Sequence, residues 1–280
     1  MDIRYSANQK DFGRYTTREI RDEFLIERLF RPDEVFAVYS HADRMVTMGI
    51  MPRGGTVPID KGIDVWKSFG GDFFLENREI GIFNLGGAGK VFAAGETYKL
   101  GYKDCLYIGR GARDVAFKSG TAAVPAKFYM VSTPAHKAYP AKLITLESAA
   151  KTPLGAAGTA NKRVINKFIH PDVLETCQLC MGLTELSDGS VWNTMPAHTH
   201  ERRTEIYMYF EVPKDQAVFH LMGGRAETRH IVVKNEQAVI SPPWSIHSGC
   251  GTARHTFIWA MGGENKVFDD MDIVPAPELR

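Results

Sequence analysis

Four cysteines in 280 residues are too few for a disulfide framework. They are Cys105, Cys177, Cys180 and Cys250, and their scarcity predicts a reducing compartment. No apolar run reaches the length that crosses a bilayer, which argues against a transmembrane helix. The opening stretch MDIRYSANQKDFGRY lacks the apolar centre of a signal peptide. Net charge is nearly absent as well, because 34 Lys and Arg face 33 Asp and Glu, leaving +1. The basic residues are scattered among acids, so neither a nucleic-acid surface nor a membrane patch is expected. What remains is a cytoplasmic enzyme or binding protein that acts on a small molecule.

The chain does have apolar residues, at 44%, enough for one large β domain or two smaller ones. Residues 1–34 read as an arm. Its best helical stretch is TTREIRDEFLIERLF, where Thr16 and Glu19 make a capping box. Ile20, Phe24 and Leu29 approximate one apolar face, and Pro32 is expected to end the helix. From Val35 onward short strands alternate with Gly and Pro turns, which means a sandwich or barrel. Residues 35–150 form one such series and residues 151–280 another. The Gly/Ala-rich segment KTPLGAAGTANKR reads as the connector. Cys177 and Cys180 form a lone C-x-x-C. On a strand, residues three apart face opposite ways, so these read as small buried thiols rather than a metal or redox pair.

The two series resemble each other. REIGIFNL-GGAGKVFAAGETYKLGY runs alongside TEIYMYFEV-PKDQAVFHLMGGRAETRH, each with a strand, a turn, Val-Phe and Glu-Thr. This predicts two copies of one barrel. Placing Glu79 opposite Glu205 sets Asp72 and Phe74 against His198 and His200, and Val115 against His247. The first copy is then expected to bind no metal and to serve as scaffold.

The second copy carries the chemistry. In TMPAHTHERRTEIYMYFEV, His198 and His200 fall on one face of a strand, since side chains repeat every two residues. Glu205 follows five residues later and reaches the same ion if ERRT turns. The helical zinc-protease motif is excluded, because Thr204 stands where its second histidine belongs. About forty residues on, Pro242 and Pro243 make a rigid turn that aims His247 back towards a barrel mouth. Three imidazoles and a carboxylate suit zinc, iron, manganese or nickel. The remaining histidines, among them His220 and His255, have no such partners and read as structural or as supports behind the ligands.

H-x-H-x4-E followed by P-x-W-x-x-H resembles the two metal motifs of cupins, which are double-stranded β-helix barrels. Trp244 departs from the form in which cupins often have Gly. MPAHTHERRTEIYMYFEV, SPPWSIHSGCGT and IWAMGGENKVFDDMD resemble the 5-keto-4-deoxyuronate isomerase family across essentially the whole chain. The resemblance implies an all-β, two-barrel cupin with an N-terminal helical arm. It also implies zinc (Zn2+) on His198, His200, Glu205 and His247, a homohexamer, and a ketouronate substrate.

A Lewis acid that polarises a carbonyl and holds the adjacent hydroxyl lowers the cost of forming an enediolate. The resemblance turns this into an aldose–ketose isomerisation in uronate breakdown. Such chemistry needs a proton carrier, for which Glu201, Tyr207 and Tyr209 are candidates. It needs a cation for the substrate carboxylate, from Arg163, Lys167 or Arg203. It also needs a polar group for sugar hydroxyls. Gln178 sits among apolar residues, and it either faces the cavity or satisfies a backbone group. An iron-dependent cupin dioxygenase and a non-catalytic sugar-binding cupin are the rival readings.

Overall fold

The computed structural model describes residues 1–264, 267 and 270–280. In chain order the first strands are β1 (Asp2–Arg4), β2 (Leu25–Ile26), β3 (Val35–Ser40), β4 (Val46–Ile50), β5 (Val57–Pro58) and β6 (Arg78–Asn84). Next come β7 (Gly89–Ala93), β8 (Glu96–Leu100), β9 (Cys105–Ile108), β10 (Ala116–Ser119), β11 (Phe128–Pro134) and β12 (Lys142–Ile144). The later strands are β13 (Ala150–Leu154), β14 (Arg163–Ile169), β15 (Cys180–Leu186), β16 (Trp192–Thr199), β17 (Arg203–Phe210) and β18 (Val218–Gly224). The last are β19 (Glu227–Val233), β20 (Gln237–Ser241), β21 (His247–Gly251), β22 (Thr256–Gly263) and β23 (Asp272–Val274). Among the described residues three short α-helices accompany them: α1 (Gln9–Phe12), α2 (Thr17–Phe24) and α3 (Val65–Phe69).

These elements form two compact units. The first holds Met1–Arg4, Arg28–Ala149 and Phe168–Cys180; the second holds Tyr5–Glu27, Ala150–Lys167 and Met181–Arg280. Two segments therefore group differently from the division expected from the sequence. Most of the arm belongs to the second unit, and Phe168–Cys180 belongs to the first.

Strand order exposes the duplication. One large sheet runs β1-β3-β4-β11-β6-β9-β12 and the other β13-β14-β15-β22-β17-β20-β2. The smaller sheets run β5-β10-β7-β8 and, read the same way, β16-β21-β18-β19 with β23 added beside β16. Position for position the orders match, so each unit is one double-stranded β-helix made of two sheets rather than one closed cylinder. One place is filled differently. The first unit ends its large sheet with β12, whereas the second uses β2 from the arm, paired antiparallel to β20.

The central strands β6 and β17 are buried at every position, because both sheet faces are covered. In the first unit the inner face is apolar: Ile80 and Ile82 pack with Leu106, Ile108, Phe128 and Met130. Glu79 points the other way. Its carboxylate accepts from the Tyr107 hydroxyl at 2.7 Å and from the backbone N–H groups of Cys177, Gln178 and Leu179, each at 2.8 Å. In β17 it is Glu205 and Tyr207 that face inward. The pairing of Glu79 with Glu205 is therefore one residue out of step, and Ile80 is the face-matched counterpart. A slip of one residue reverses every side chain in a strand. Asp72 is exposed, while Phe74 and Val115 lie in the apolar core.

Three local expectations change. The capping box forms as read, with Glu19 N–H donating to Thr16 Oγ1 and Thr16 N–H to Glu19, but α2 ends at Phe24, well before Pro32. Its chain goes straight into β2, so Leu29 is buried outside the helix. The Gly/Ala-rich connector folds in part as a hairpin, β13 against β14. Cys177 precedes β15 in a turn whose N–H groups serve Glu79, and only Cys180 is on the strand. Among the described residues no helix is long and apolar enough to cross a membrane.

Removing the Glu79 carboxylate strands one buried N–H donor, that of Leu179, and two part-buried ones, at about 1–3 kcal/mol for a buried unsatisfied group. Glu79→Ala should lower stability to denaturant by about 1–3 kcal/mol, and Glu79→Gln by less. An unchanged transition in Glu79→Ala would refute this clasp.

Candidate metal centre

The site lies inside the second unit, on three strands. β16 brings His198, and His200 follows just past its end. The turn through Glu201 and Arg202 reverses the chain into β17, which carries Glu205. β21 opens with His247, whose Cα pairs with His198. Alternation puts His198 and His200 on one face, and their ring centroids are 4.8 Å apart. His247 Nε2 lies 3.0 Å from His198 Nε2 and 2.8 Å from Glu205 Oε2. His200 Nε2 lies 3.1 Å from the same carboxylate oxygen. One ligand atom from each of the four residues falls within 4.8 Å of the others, and all four residues are buried.

This donor set fits a cation. Burial, then the neighbouring His247, hold His198 well below the usual histidine range, so its imidazole is neutral at pH 7. Burial pushes Glu205 up, but His247 and His200 outweigh it and keep the carboxylate ionised. Neutral imidazoles and an ionised carboxylate are the forms that ligate metals. Two ligands each about 2.1 Å from one ion lie roughly 3.0–3.4 Å apart, so the three short spacings of 2.8–3.1 Å need to open by only a few tenths of an ångström. His200 is braced from behind, with Nδ1 3.0 Å from Arg203 Nη2 and 3.4 Å from Asp270 Oδ1, and Arg203 bonds Asp270 in turn. Such partners fix the orientation and tautomer of a ligating imidazole.

A cavity of about 200 Å³ opens onto the four residues. Its walls are mostly apolar, including Ile165, Phe257, Trp259 and Met261, with Thr184, Thr194, Tyr207 and Arg163 as polar points. The Tyr207 hydroxyl meets Thr194 Oγ1 at 2.8 Å. Thr194 holds φ of +50°, a costly backbone for a β-branched residue. Burial and Glu205 raise the Tyr207 phenol well above its usual range, so it stays protonated. Arg163 is the one Lys or Arg among the described lining residues. Burial lowers its pKa, and Nη1 donates to Asn161 O at 2.9 Å.

The remaining candidates lie elsewhere. Glu201 is exposed on the turn. The Tyr209 hydroxyl is behind the cavity, 2.8 Å from His220 Nδ1. Arg203 is buried against His200 and Asp270 rather than facing the cavity. Lys167 continues the face of β14 that carries Arg163 and Ile165, but beyond the lining. Gln178 belongs to the first unit, where its amide donates to Pro134 O at 2.7 Å, the backbone alternative of the two open to it. Thr194 and Asp270 escaped notice in the sequence. Nothing in the spacing ties Asp270 to His200, and a lone threonine before Met-Pro reads as a turn.

Two matching double-stranded β-helices, with three imidazoles and a carboxylate converged in one of them, make this a cupin with a candidate metal centre. The KduI/IolB family model matches residues 63–275, and the chain belongs to that family. It is 53% identical, over all 280 residues and the whole of each relative, to 4-deoxy-L-threo-5-hexosulose-uronate ketol-isomerases of Escherichia coli O127:H6 (strain E2348/69) and Shigella sonnei (strain Ss046). Among solved structures, an IolB-like protein from Salmonella typhimurium LT2 superposes with a TM-score of 0.67 at 13% identity, covering 90% of this chain and 96% of that one. The oxalate decarboxylase of Lactobacillus farciminis, in a formate complex, gives 0.56 at 9% identity, covering 83% and 79%. At such identities the likeness shows the fold alone.

His255 gives a pH test away from the ligands. Asn193 Nδ2 donates to its Nε2 at 2.8 Å, and its Nδ1 faces Ala253 O at 3.2 Å. Burial lowers its pKa to about 4 against the Ala253 bond, which raises it. The unfolded chain takes this proton near ~6.5, so it binds more protons than the folded chain between there and about 4. Stability therefore falls as pH falls through that window, and this residue adds no further loss below it. In chelator, melting temperature should drop over this range, and His255→Gln should flatten the slope. An equal slope in the variant would refute the assignment.

Proposed function

We propose that this chain is a ketol-isomerase that converts 4-deoxy-L-threo-5-hexosulose uronate to 3-deoxy-D-glycero-2,5-hexodiulosonate in uronate breakdown. The observation that carries it is the buried four-donor cluster, opening on a cavity with one arginine, in a chain 53% identical end to end to such enzymes. His198, His200, Glu205 and His247 would hold the ion, and we propose zinc. The ion would supply Lewis acidity towards a carbonyl and its neighbouring hydroxyl.

The rest falls to side chains of the cavity. Arg163 binds the substrate carboxylate with charge-assisted hydrogen bonds, and its desolvation strengthens them. That directs the aldehyde end towards the histidines. The reaction moves a proton from C2 to C1 through an enediolate, while the hydroxyl and carbonyl exchange places. A second proton passes from the C2 hydroxyl oxygen to the C1 carbonyl oxygen, and Tyr207, paired with Thr194, hydrogen-bonds to those two oxygens. Phe257, Trp259 and Met261 keep bulk water from the intermediate. A homohexamer in the cytoplasm, carrying one ion per subunit, completes the proposal.

Purified protein should contain close to one zinc per chain by elemental analysis and interconvert the ketouronate by NMR. His247→Ala should lose metal and activity while keeping its β-sheet circular dichroism. Arg163→Ala should keep its metal and raise KM about tenfold or more, since a charge-assisted bond is worth roughly 1.5–3 kcal/mol. Iron dependence with oxygen uptake would sink the isomerase reading in favour of a dioxygenase. Tight sugar binding without turnover would favour a binding protein.

A further inference from the structure

His247 is delivered by the turn Pro242-Pro243-Trp244-Ser245, closed by Ser245 N–H donating to Pro242 O at 2.9 Å. This turn is pinned twice to Gly223 of β18. Gly223 N–H donates to Ser245 Oγ at 2.9 Å, and Gly223 O accepts from Ile246 N–H at 2.9 Å. Ser245 Oγ also donates to Ile246 O at 2.8 Å, one residue before the histidine.

The other side of this turn is covered by the arm. A Cβ on Gly223, whose φ is +103°, would come within 2.8 Å of the Phe12 ring. Phe12 therefore lies directly on the residue that pins the turn. The Trp244 ring centroid is 5.2 Å from Phe12 and 6.2 Å from Phe24, and those two rings are 5.6 Å apart. Phe12 and Phe24 are almost fully buried. Further bonds fasten the arm to β19, the partner of β18: Arg229 Nη2 donates to Gly13 O at 2.7 Å, and Arg21 Nη1 to Val232 O at 3.0 Å.

We propose that the amino-terminal arm is a positioning element for His247: Phe12 and Phe24 clamp Trp244 and Gly223, and so set how long the site retains its ion. The inference rests on reading His247 as a ligand. A turn has no ladder of its own to hold it, and a ligating ring works only while its support keeps it within about half an ångström of its place. Here that support comes from rings some 220 residues away in sequence. This explains why a bulky tryptophan stands in a turn that must be tight. It also gives the arm a role in the centre that it does not line.

The experiment uses the metal-loaded, full-length protein and follows transfer of the ion to excess chromophoric chelator. Trp244→Ala and Phe12→Ala should release metal roughly 10- to 100-fold faster, the scale at which outer supports act on metal sites. Trp244→Phe, which keeps a ring, should release at close to the wild-type rate. Ile20→Ala removes a buried aliphatic side chain of the same arm and leaves all three rings in place. It should lower the melting temperature and leave release unchanged. Wild-type release from Trp244→Ala overturns the proposal. So does equal acceleration in Ile20→Ala at a matched loss of melting temperature, since the arm would then add only bulk stability. If the wild type itself holds no metal, the ligand reading falls and this inference falls with it.

Discussion

Four Lewis-basic atoms, buried and aimed at one point, are the constraint on which the second unit turns. Three imidazoles and a carboxylate do not converge in a buried interior without something to hold them together. Lone pairs at 2.8–3.1 Å repel unless a proton or a cation stands between them. Burial keeps His198 in its neutral form, with one ring nitrogen free to ligate. The surroundings then read as means of holding the cluster in place. Arg203 and Asp270 brace His200, the pinned turn delivers His247, and the alternation of β16 and β17 aligns the others.

The same scaffold without this constraint stands in the first unit. Its strands follow the same order, yet the inner face of β6 carries Ile80 and Ile82 where β17 carries Glu205 and Tyr207. Released from chemistry, that inner face is lined by packed apolar side chains. The one buried acid of β6 faces outward and binds a turn of its own unit through three backbone N–H groups. Glu79 and Glu205 look alike in sequence and do unrelated work, and the difference between them is one step of register. The second unit also departs from strict duplication where the arm supplies the last strand of its large sheet.

Much of the strand pattern was legible because Gly and Pro turns punctuate apolar runs in a code that is local. The His198–His200 pair was legible for the same reason, since period two is a property of any strand. Less could be read where long-range contacts decide. α2 stops at Phe24 because the chain is drawn into β2 beside β20, and no local signal marks that point. The connector becomes a hairpin because β14 offers it a partner. Among polar candidates, exposure and direction sorted Arg163 and Tyr207 from Arg203, Lys167, Glu201 and Tyr209, and neither property is written in residue type.

What the sequence by itself determined is the kind of fold and the donors available: short strands twice over, three histidines and a glutamate at spacings that alternation can use. Those follow from covalent order and the geometry of a single strand. What only the tertiary structure decided is which of the donors meet, what lies behind them and what faces the cavity. Asp270 behind His200, the arm's rings on Trp244 and the outward turn of Glu79 join residues far apart in the chain. Such meetings depend on sheet order and register, which are settled by burying the whole apolar surface at once.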